Sequence, residues 1–313
     1  MKRIMSIWGD KPYYSLNYYL RELYGEKIYK IAIDGGFTCP NRDGKIGTKG
    51  CIFCSEGGSG DFASSKTLSI YDQIEQGKKR LSSKKTGNKY IAYFQAYTNT
   101  YAPVDRLKAL FSQAISHPDI IGLSIATRPD CLDDDVVKLL SHINKNKKVW
   151  IELGLQTIHT SSAAFIRRGY DLSCFNTAVE KLSDAGLETI VHLILGLPNE
   201  TKEDMLQSVK YICTKKIQGV KLQLLHILKN TGLADYYAKN NYETLTMDEY
   251  MDILISCIEI IPPNIVIHRI TGDGPKNLLI APRWSSNKKV VLNTILKEFK
   301  ARNTWQGKKS DYV

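Results

Sequence analysis

The stretch "CPNRDGKIGTKGCIFC" holds Cys39, Cys51 and Cys54 in one glycine- and lysine-rich segment, spaced C-x11-C-x2-C. Thiolates grouped in this way are soft metal ligands. Structural zinc needs four protein ligands in a closed tetrahedron, usually from two C-x2-C knuckles or their histidine variants. Only one knuckle is present, and the nearest later candidates for a fourth ligand, His117 and Cys131, fall on other strand-helix units. Three thiolates with one open position suit a [4Fe–4S] cluster whose fourth iron binds a substrate or cofactor in place of protein. A zinc-stabilised RNA-binding module without catalysis, borrowing a distant histidine or cysteine, is the alternative that the spacing leaves open.

The 313 residues, 43% of them hydrophobic, can fill the core of one large α/β barrel or two modest domains. Seven cysteines are an odd number, and outside the opening cluster they are scattered. They read as reduced thiols, with Cys131, Cys174, Cys213 and Cys257 as small buried hydrophobes. No run of eighteen apolar residues occurs, and "MKRIMSIWGDKPYYSLNYYL" turns polar and aromatic before a signal-peptide core could form. The expectation is a cytoplasmic protein with no membrane partner. The net charge of +11 favours a polyanionic partner through counterion release, although many lysine-rich enzymes are basic without touching RNA.

What must position the thiols is a series of short apolar runs alternating with amphipathic ones. "YKIAIDGG", "YIAYFQA", "IIGLSIAT", "VWIELGLQT", "TIVHLILGLP" and "VKLQLLHI" predict six strands of a parallel sheet covered on both faces. Between them "PVDRLKALFSQAIS", "DDDVVKLLSHIN", "CFNTAVEKLSDAG" and "KEDMLQSVKYICTKK" predict helices with acidic or proline starts and lysine or glycine ends. The expected fold is α/β, a partial (β/α)6 TIM-like barrel in one domain over 1–313. Its core spans about 28–272, between an aromatic N-terminal segment, 1–27, and a basic C-terminal extension, 273–313. No G-x-G-x-x-G follows the first strand and no G-x-x-x-x-G-K-[ST] occurs, which removes the usual support for Rossmann and P-loop nucleotide binding. The basic stretch "KKRLSSKKTGNK", 78–89, reads as a solvated helix cap, "NIVIHRI" as a candidate seventh strand, and "LADYYAKN", "MDEYMDILISCIEII" and "NKKVVLNTILKEFKAR" as helices.

A three-cysteine loop after the first strand of such a barrel resembles the radical S-adenosylmethionine (SAM) superfamily. In that family the open iron is bound by the amino and carboxylate groups of SAM. The superfamily's common spacing is C-x3-C-x2-C. The long first gap is similar instead to the branch containing the catalytic subunit of elongator, a tRNA wobble-uridine modifier. More nearly still, the chain resembles uncharacterised bacterial radical SAM proteins that share the elongator-like core without its acetyltransferase domain. The resemblance runs from "GGFTCPNRDG" through "TGDGP". It includes "LSIATRPD" with Arg128 and Asp130, "IELGLQT" with Glu152 and Gln156, "RRGYD" with Arg168, and "VHLILGLPNET" with His192 and Gly196.

The resemblance implies that Cys39, Cys51 and Cys54 hold a [4Fe–4S] cluster. It also implies that Arg128, Glu152, Gln156, Arg168, His192 and Gly196 lie near SAM at the ends of successive strands around one barrel mouth. Phe53, inside the knuckle, is placed to pack on the adenine or to anchor the loop. Where the superfamily has a "GGE"-like run after strand two, this chain has "YFQAYTNTY", so Gln95, Thr98 or Asn99 stands in the position that receives the cofactor's amino group. "SEGGSG" reads as a lip around the loop or as a ligand contact. Taken singly, Arg128 has the alternative of closing a turn, Glu152 and Gln156 of forming a buried polar pair, and His192 of being a satisfied core histidine.

The implied reaction is reductive cleavage of SAM to methionine and a 5′-deoxyadenosyl radical that abstracts hydrogen from a substrate. The electron comes from a donor such as flavodoxin or ferredoxin. The implied substrate is tRNA, with a small molecule or peptide as the rival. Tyr13, Tyr14, Tyr18 and Tyr19 then either stack bases or form the packing stripe of a first helix. "TGDGP" and Trp284 shape the substrate side.

Overall fold

A computed structural model describes residues 8–84, 87–240, 242–272 and 274–310. In chain order its elements are α1 (Leu16–Tyr24), β1 (Tyr29–Ile33), α2 (Ile70–Leu81), β2 (Tyr90–Phe94), α3 (Val104–Ser116), β3 (Ile120–Thr127), α4 (Asp134–Asn144) and β4 (Lys148–Gln156). There follow α5 (Thr160–Phe165), α6 (Leu172–Asp184), β5 (Glu188–Leu195), α7 (Lys202–Cys213), β6 (Gly219–Leu224), β7 (Ile227–Leu228) and α8 (Gly232–Lys239). The last elements are α9 (Met247–Ile260), β8 (Val266–Arg269), β9 (Leu279–Ala281) and α10 (Lys288–Ala301).

The six expected strands are present and lie in the spatial order β1, β2, β3, β4, β5, β6, joined at the end by β8 from the candidate seventh stretch. Pairing is parallel where β1 meets β2, β2 meets β3, β3 meets β4 and β6 meets β8. The architecture is therefore the expected partial parallel α/β barrel, its six strands extended by the candidate seventh as β8. Burial on both faces explains the continuous apolar runs: all five residues of β2 are buried. The helices that return the chain carry their own start signals. Thr201 and Asp204 form a reciprocal capping box at α7, as Thr246 and Glu249 do at α9, and the Asp171 carboxylate accepts from Cys174 N at α6. Among the described residues no helix is long and apolar enough to cross a membrane.

The chain divides into two compact units. One comprises Leu20–Gly154 with Gly169–Ile190 and includes the thiol loop; the other comprises Met1–Tyr19, Leu155–Arg168 and Val191–Val313. In the second unit, Ile267 N donates to Tyr14 O (2.7 Å) and Ser15 bridges Ile267 in parallel, so the N-terminal segment covers an edge of β8. Gln306, 1% exposed, fastens this arrangement. Its Oε1 accepts from Tyr14 N (2.8 Å) and its Nε2 donates to Pro262 O and Ile265 O (2.7 and 2.8 Å). Tyr13 is buried beside Phe299, and the Tyr14 ring lies among Trp8, Tyr18 and Tyr19. These rings thus serve as the packing stripe. Trp284 donates from Nε1 to Leu245 O and packs beside Tyr250; within "TGDGP", Asp273 lies outside the described residues.

In the first unit α2 packs so closely on β1 that a Cβ on Gly77 would stand 2.3 Å from Ile31 Cγ2. Gly77→Ala sets a gain of up to about 1 kcal/mol in helix propensity against overpacking worth about 1–3 kcal/mol. The clash wins: the variant is expected to be less stable by about 1–2 kcal/mol in urea unfolding. An unchanged or raised midpoint would contradict this packing.

Candidate functional site

The segment after β1 is a closed structure, built by its own backbone. Arg42 N and Asp43 N donate to Cys39 O, Ile46 N and Gly47 N to Pro40 O, and Gly50 N to Asn41 O (2.7 Å). The eleven-residue gap therefore folds back on itself and returns Cys51 to the neighbourhood of Cys39. The C-x2-C knuckle is a turn closed by Cys54 N to Cys51 O (3.0 Å). Gly50 has φ +69°, and a Cβ there would meet Arg42 Nε at 2.9 Å, so the return requires glycine.

None of the three cysteines is in a disulfide, and all three are half-buried. Asn41 Nδ2 donates to Cys51 Sγ (3.4 Å), and Ser59 Oγ lies 4.0 Å from Cys54 Sγ. Burial pushes the Cys51 thiol up to about 12, reinforced by Cys54 and opposed by the Asn41 hydrogen bond and the charge of Arg128. Burial also raises Cys54, with Arg42 pulling the other way. Metal binding would therefore have to displace protons. Among the described residues, Glu75, His117 and Asp119 bring three ligand atoms within 4.8 Å of one another. Three soft thiol donors in one closed segment fit an iron–sulfur centre.

The two candidates for a fourth ligand are otherwise engaged. His117 Nδ1 accepts from Asp119 N (3.1 Å), which leaves Nε2–H to donate to Glu75 Oε1 (2.9 Å). Lys78 bridges the same Glu75 and Asp119 at 2.6 Å each. The Cys131 thiol is buried, pushed up to about 12 by that burial and by Asp130, and donates towards Asp130 Oδ1 (3.9 Å).

The loop after β2 clamps both flanks of the thiol segment. Thr98 N donates to Thr38 O (3.2 Å) just before Cys39, while Tyr97 N donates to Gly58 O (2.8 Å) and Gln95 Nε2 to Ser59 O (2.7 Å) just past Cys54. Tyr97 is left-handed, φ +61°, and its hydroxyl donates to Glu56 O. Gly58, φ +58°, makes room for it: a Cβ there would lie 2.4 Å from the Tyr97 ring. The "SEGGSG" stretch is thus an anchored seat for an aromatic ring. Asn99 is wholly buried; its backbone N and its Nδ2 both donate to Ala126 O.

Arg128, at the end of β3, is 8% exposed. It is bidentate to Asp130 (2.9 and 2.7 Å) and stacks 4.9 Å over the Tyr170 ring. Burial works against its charge, but the hydrogen bond and charge of Asp130, with Cys39 adding to them, raise its pKa. Phe53 is half-buried in the knuckle. Glu152 belongs to a different group. Its Oε1 accepts from Lys30 Nζ (2.6 Å) and Ser124 Oγ (2.7 Å), with the Lys30 ammonium also 5.1 Å over Tyr93. Sequence reasoning missed Lys30, Arg42, Tyr97 and Tyr170, none of which carries a spacing signal.

The remaining expected residues belong to the second unit. Gln156, the last residue of β4, has φ +65° and sits at the apex of a three-residue turn closed by Thr157 N to Leu155 O (2.9 Å). This γ-turn is strained for a residue with a β-carbon. Arg168, 3% exposed, holds it by donating from Nη1 to Leu155 O and Thr157 O (3.1 and 2.7 Å), so its guanidinium braces the backbone that aims Gln156. His192 Nδ1 lies 3.4 Å from Gln223 Nε2. Gly196, φ +89°, accepts from the Tyr242 hydroxyl (2.6 Å), and a Cβ there would meet Leu245 at 2.9 Å.

Two substitutions check this geometry. Gly58→Ala is expected to cost about 1–3 kcal/mol and to lower the metal bound per chain, with Tyr97→Ala in the same background recovering part of both. Equal metal content in Gly58→Ala and wild type would contradict the seat. Arg168→Ala removes the nitrogen that donates to both carbonyls and is expected to lose about 1.5–3 kcal/mol in denaturant unfolding; an unchanged midpoint would contradict the brace.

Comparison with known proteins agrees with the loop. The Radical SAM superfamily pattern matches residues 41–212, more than half of the 313, and the Radical SAM C-terminal domain matches residues 217–301. The uncharacterised protein YtqA of Bacillus subtilis is 47% identical over 299 residues, covering 96% of this chain and 93% of that protein. A tRNA uridine(34) acetyltransferase of Methanocaldococcus jannaschii is 25% identical over 170 residues, covering 53% of this chain and 31% of that protein. The solved structure of the archaeal Methanocaldococcus infernus Elp3 with an N-terminal deletion matches with TM-score 0.68 at 15% identity, covering 89% of this chain and 64% of that one, a likeness of fold. The chain belongs to the radical SAM superfamily, enzymes that use a [4Fe–4S] cluster and S-adenosylmethionine.

Proposed function

We propose that this radical SAM enzyme modifies a uridine of tRNA, with Cys39, Cys51 and Cys54 as the cluster ligands and SAM on the iron that the protein leaves open. The observation that carries the reading is the thiol loop: three cysteines, none in a disulfide, brought back towards one another by one closed segment, with His117 and Cys131 engaged elsewhere. When bound, the cluster and the sulfonium together supply a hydrogen-abstracting radical, and that chemistry belongs to the cofactors. The chain's own residues bind and orient. The cysteines give up their protons, Arg42 and Arg128 offset the resulting charge, and Phe53 offers a ring for the adenine.

Gln95 acts as a clamp on the loop, and Glu152 as part of the Lys30 pair beneath it. Within the second unit itself, Arg168 fixes the turn that carries Gln156, and His192 and Gly196 lie on β5 and just past its end. The name of the tRNA uridine(34) acetyltransferase relative and the net charge of +11 support tRNA as the substrate. The electron donor is assigned to the flavodoxin or ferredoxin class.

Anaerobically purified protein is expected to be brown and, after reconstitution, to hold about four irons per chain. With SAM and dithionite it should release 5′-deoxyadenosine, and with bulk tRNA from a deletion strain it should yield a mass-shifted uridine. Cys39→Ala, Cys51→Ala and Cys54→Ala should each reduce deoxyadenosine to background. A colourless zinc protein would overturn the cluster assignment. Deoxyadenosine release with every nucleoside mass unchanged would overturn the tRNA assignment.

A further inference from the structure

We propose that Asn41 sets the reduction potential of the cluster through a hydrogen bond from its side-chain amide to Cys51 Sγ, an inference that rests on the radical SAM reading of the thiol loop. Asn41 lies two positions after Cys39, in "CPNRDG". Its Nδ2 donates to Cys51 Sγ at 3.4 Å. A deprotonated sulfur only accepts, so the amide must keep its nitrogen on this side.

The donor is held where it is. Asn41 is 4% exposed. Its own carbonyl accepts from Gly50 N (2.7 Å), and the backbone on either side is fixed by Arg42 N to Cys39 O and by Ile46 N and Gly47 N to Pro40 O. Gly169, which belongs to the same unit, closes the other side of the amide: a Cβ there would stand 2.7 Å from Asn41 Oδ1. The side chain is thus enclosed between a glycine and a sulfur and cannot swing out to water. The contact of Ser59 Oγ with Cys54 Sγ, at 4.0 Å on the exposed side of the loop, is longer and open to solvent.

Reduction adds one electron, and with it negative charge, to the cluster and its thiolates. An N–H aimed at a ligand sulfur therefore stabilises the reduced form more than the oxidised one and raises the potential. Burial keeps water from screening the amide dipole, which strengthens the effect. The electron comes from a donor of the flavodoxin or ferredoxin class. Asn41 makes that transfer easier and leaves less driving force for splitting the sulfonium.

The test reads a potential, not turnover. Reconstituted wild type and Asn41→Leu, which keeps the side chain's approximate shape but has no N–H, are titrated with dithionite without SAM and followed by electron paramagnetic resonance. Iron content and thermal melting are the controls. Asn41→Leu is expected to hold the same iron and to be about tenfold harder to reduce, a shift of about 59 mV to more negative potential for one electron. The sign separates tuning from mere support of the loop: a loosened loop admits water, which stabilises the more highly charged reduced form and moves the potential the other way. An unchanged or more positive potential at equal iron overturns the role of Asn41 and leaves the cluster reading standing. Wild type that takes up no iron, or shows no reducible iron–sulfur signal, overturns the radical SAM reading and this inference with it. Should Asn41→Leu fail to fold or to load iron, Asn41→Ala enters the same titration with the same criteria.

Discussion

Tyr97 N to Gly58 O and Thr98 N to Thr38 O are two backbone hydrogen bonds from adjacent residues, one reaching each flank of the thiol segment. Between those anchor points the chain must close a loop whose first cysteine gap is long. Relative to the C-x3-C spacing common in the superfamily, the extra loop-closure entropy is only about 1 kcal/mol, because it grows with the logarithm of length. Several internal hydrogen bonds offset it: Ile46 and Gly47 to Pro40, and Gly50 to Asn41. The long gap is thus tolerated thermodynamically, provided that both ends stay tied to the loop after β2.

Electrostatics in the segment work in two directions. Burial drives the Cys51 and Cys54 thiols towards their neutral forms, while Arg42 and Arg128 favour the charged ones. Arg42 is fixed by its own hydrogen bonds to Cys54 O and Ser55 O (3.1 and 2.6 Å), and Arg128 by Asp130 and Tyr170. Neither arginine can swing away when the sulfurs are neutral. The cations are pre-organised for a negative centre, which reduces the reorganisation needed when protons leave.

Much of the scaffold is legible in the sequence because parallel strands covered on both faces are largely apolar, with few polar interruptions. The helix starts are legible because Thr201 and Asp204, or Thr246 and Glu249, must satisfy donors that the first turn leaves free. The paired β7 and β9, two and three residues long, are too short to carry any period. The thiols are legible from spacing. The left-handed Tyr97 and Gln156 are not, since nothing in a tyrosine or glutamine announces positive φ; only the contacts that hold them do. Alternation places Glu152 on a face of β4 but cannot say that Lys30, 122 positions away, will meet it.

That meeting constrains the site from below. Ile31 points towards Gly77 of α2, so Lys30 lies on the opposite face of β1, where it reaches Ser124 and the fully buried Glu152. Slipping β1 by one residue would exchange these faces, driving the ammonium against a helix that already leaves no room and stranding a buried carboxylate. Breaking such a pair costs about 3–5 kcal/mol, a large fraction of the stability of a typical domain. A hydrophobic layer would fill the same volume without that penalty, and without that power to reject the wrong register. The thiol segment begins within a few residues of β1's end, so the register that Lys30 enforces also decides where Cys39 emerges.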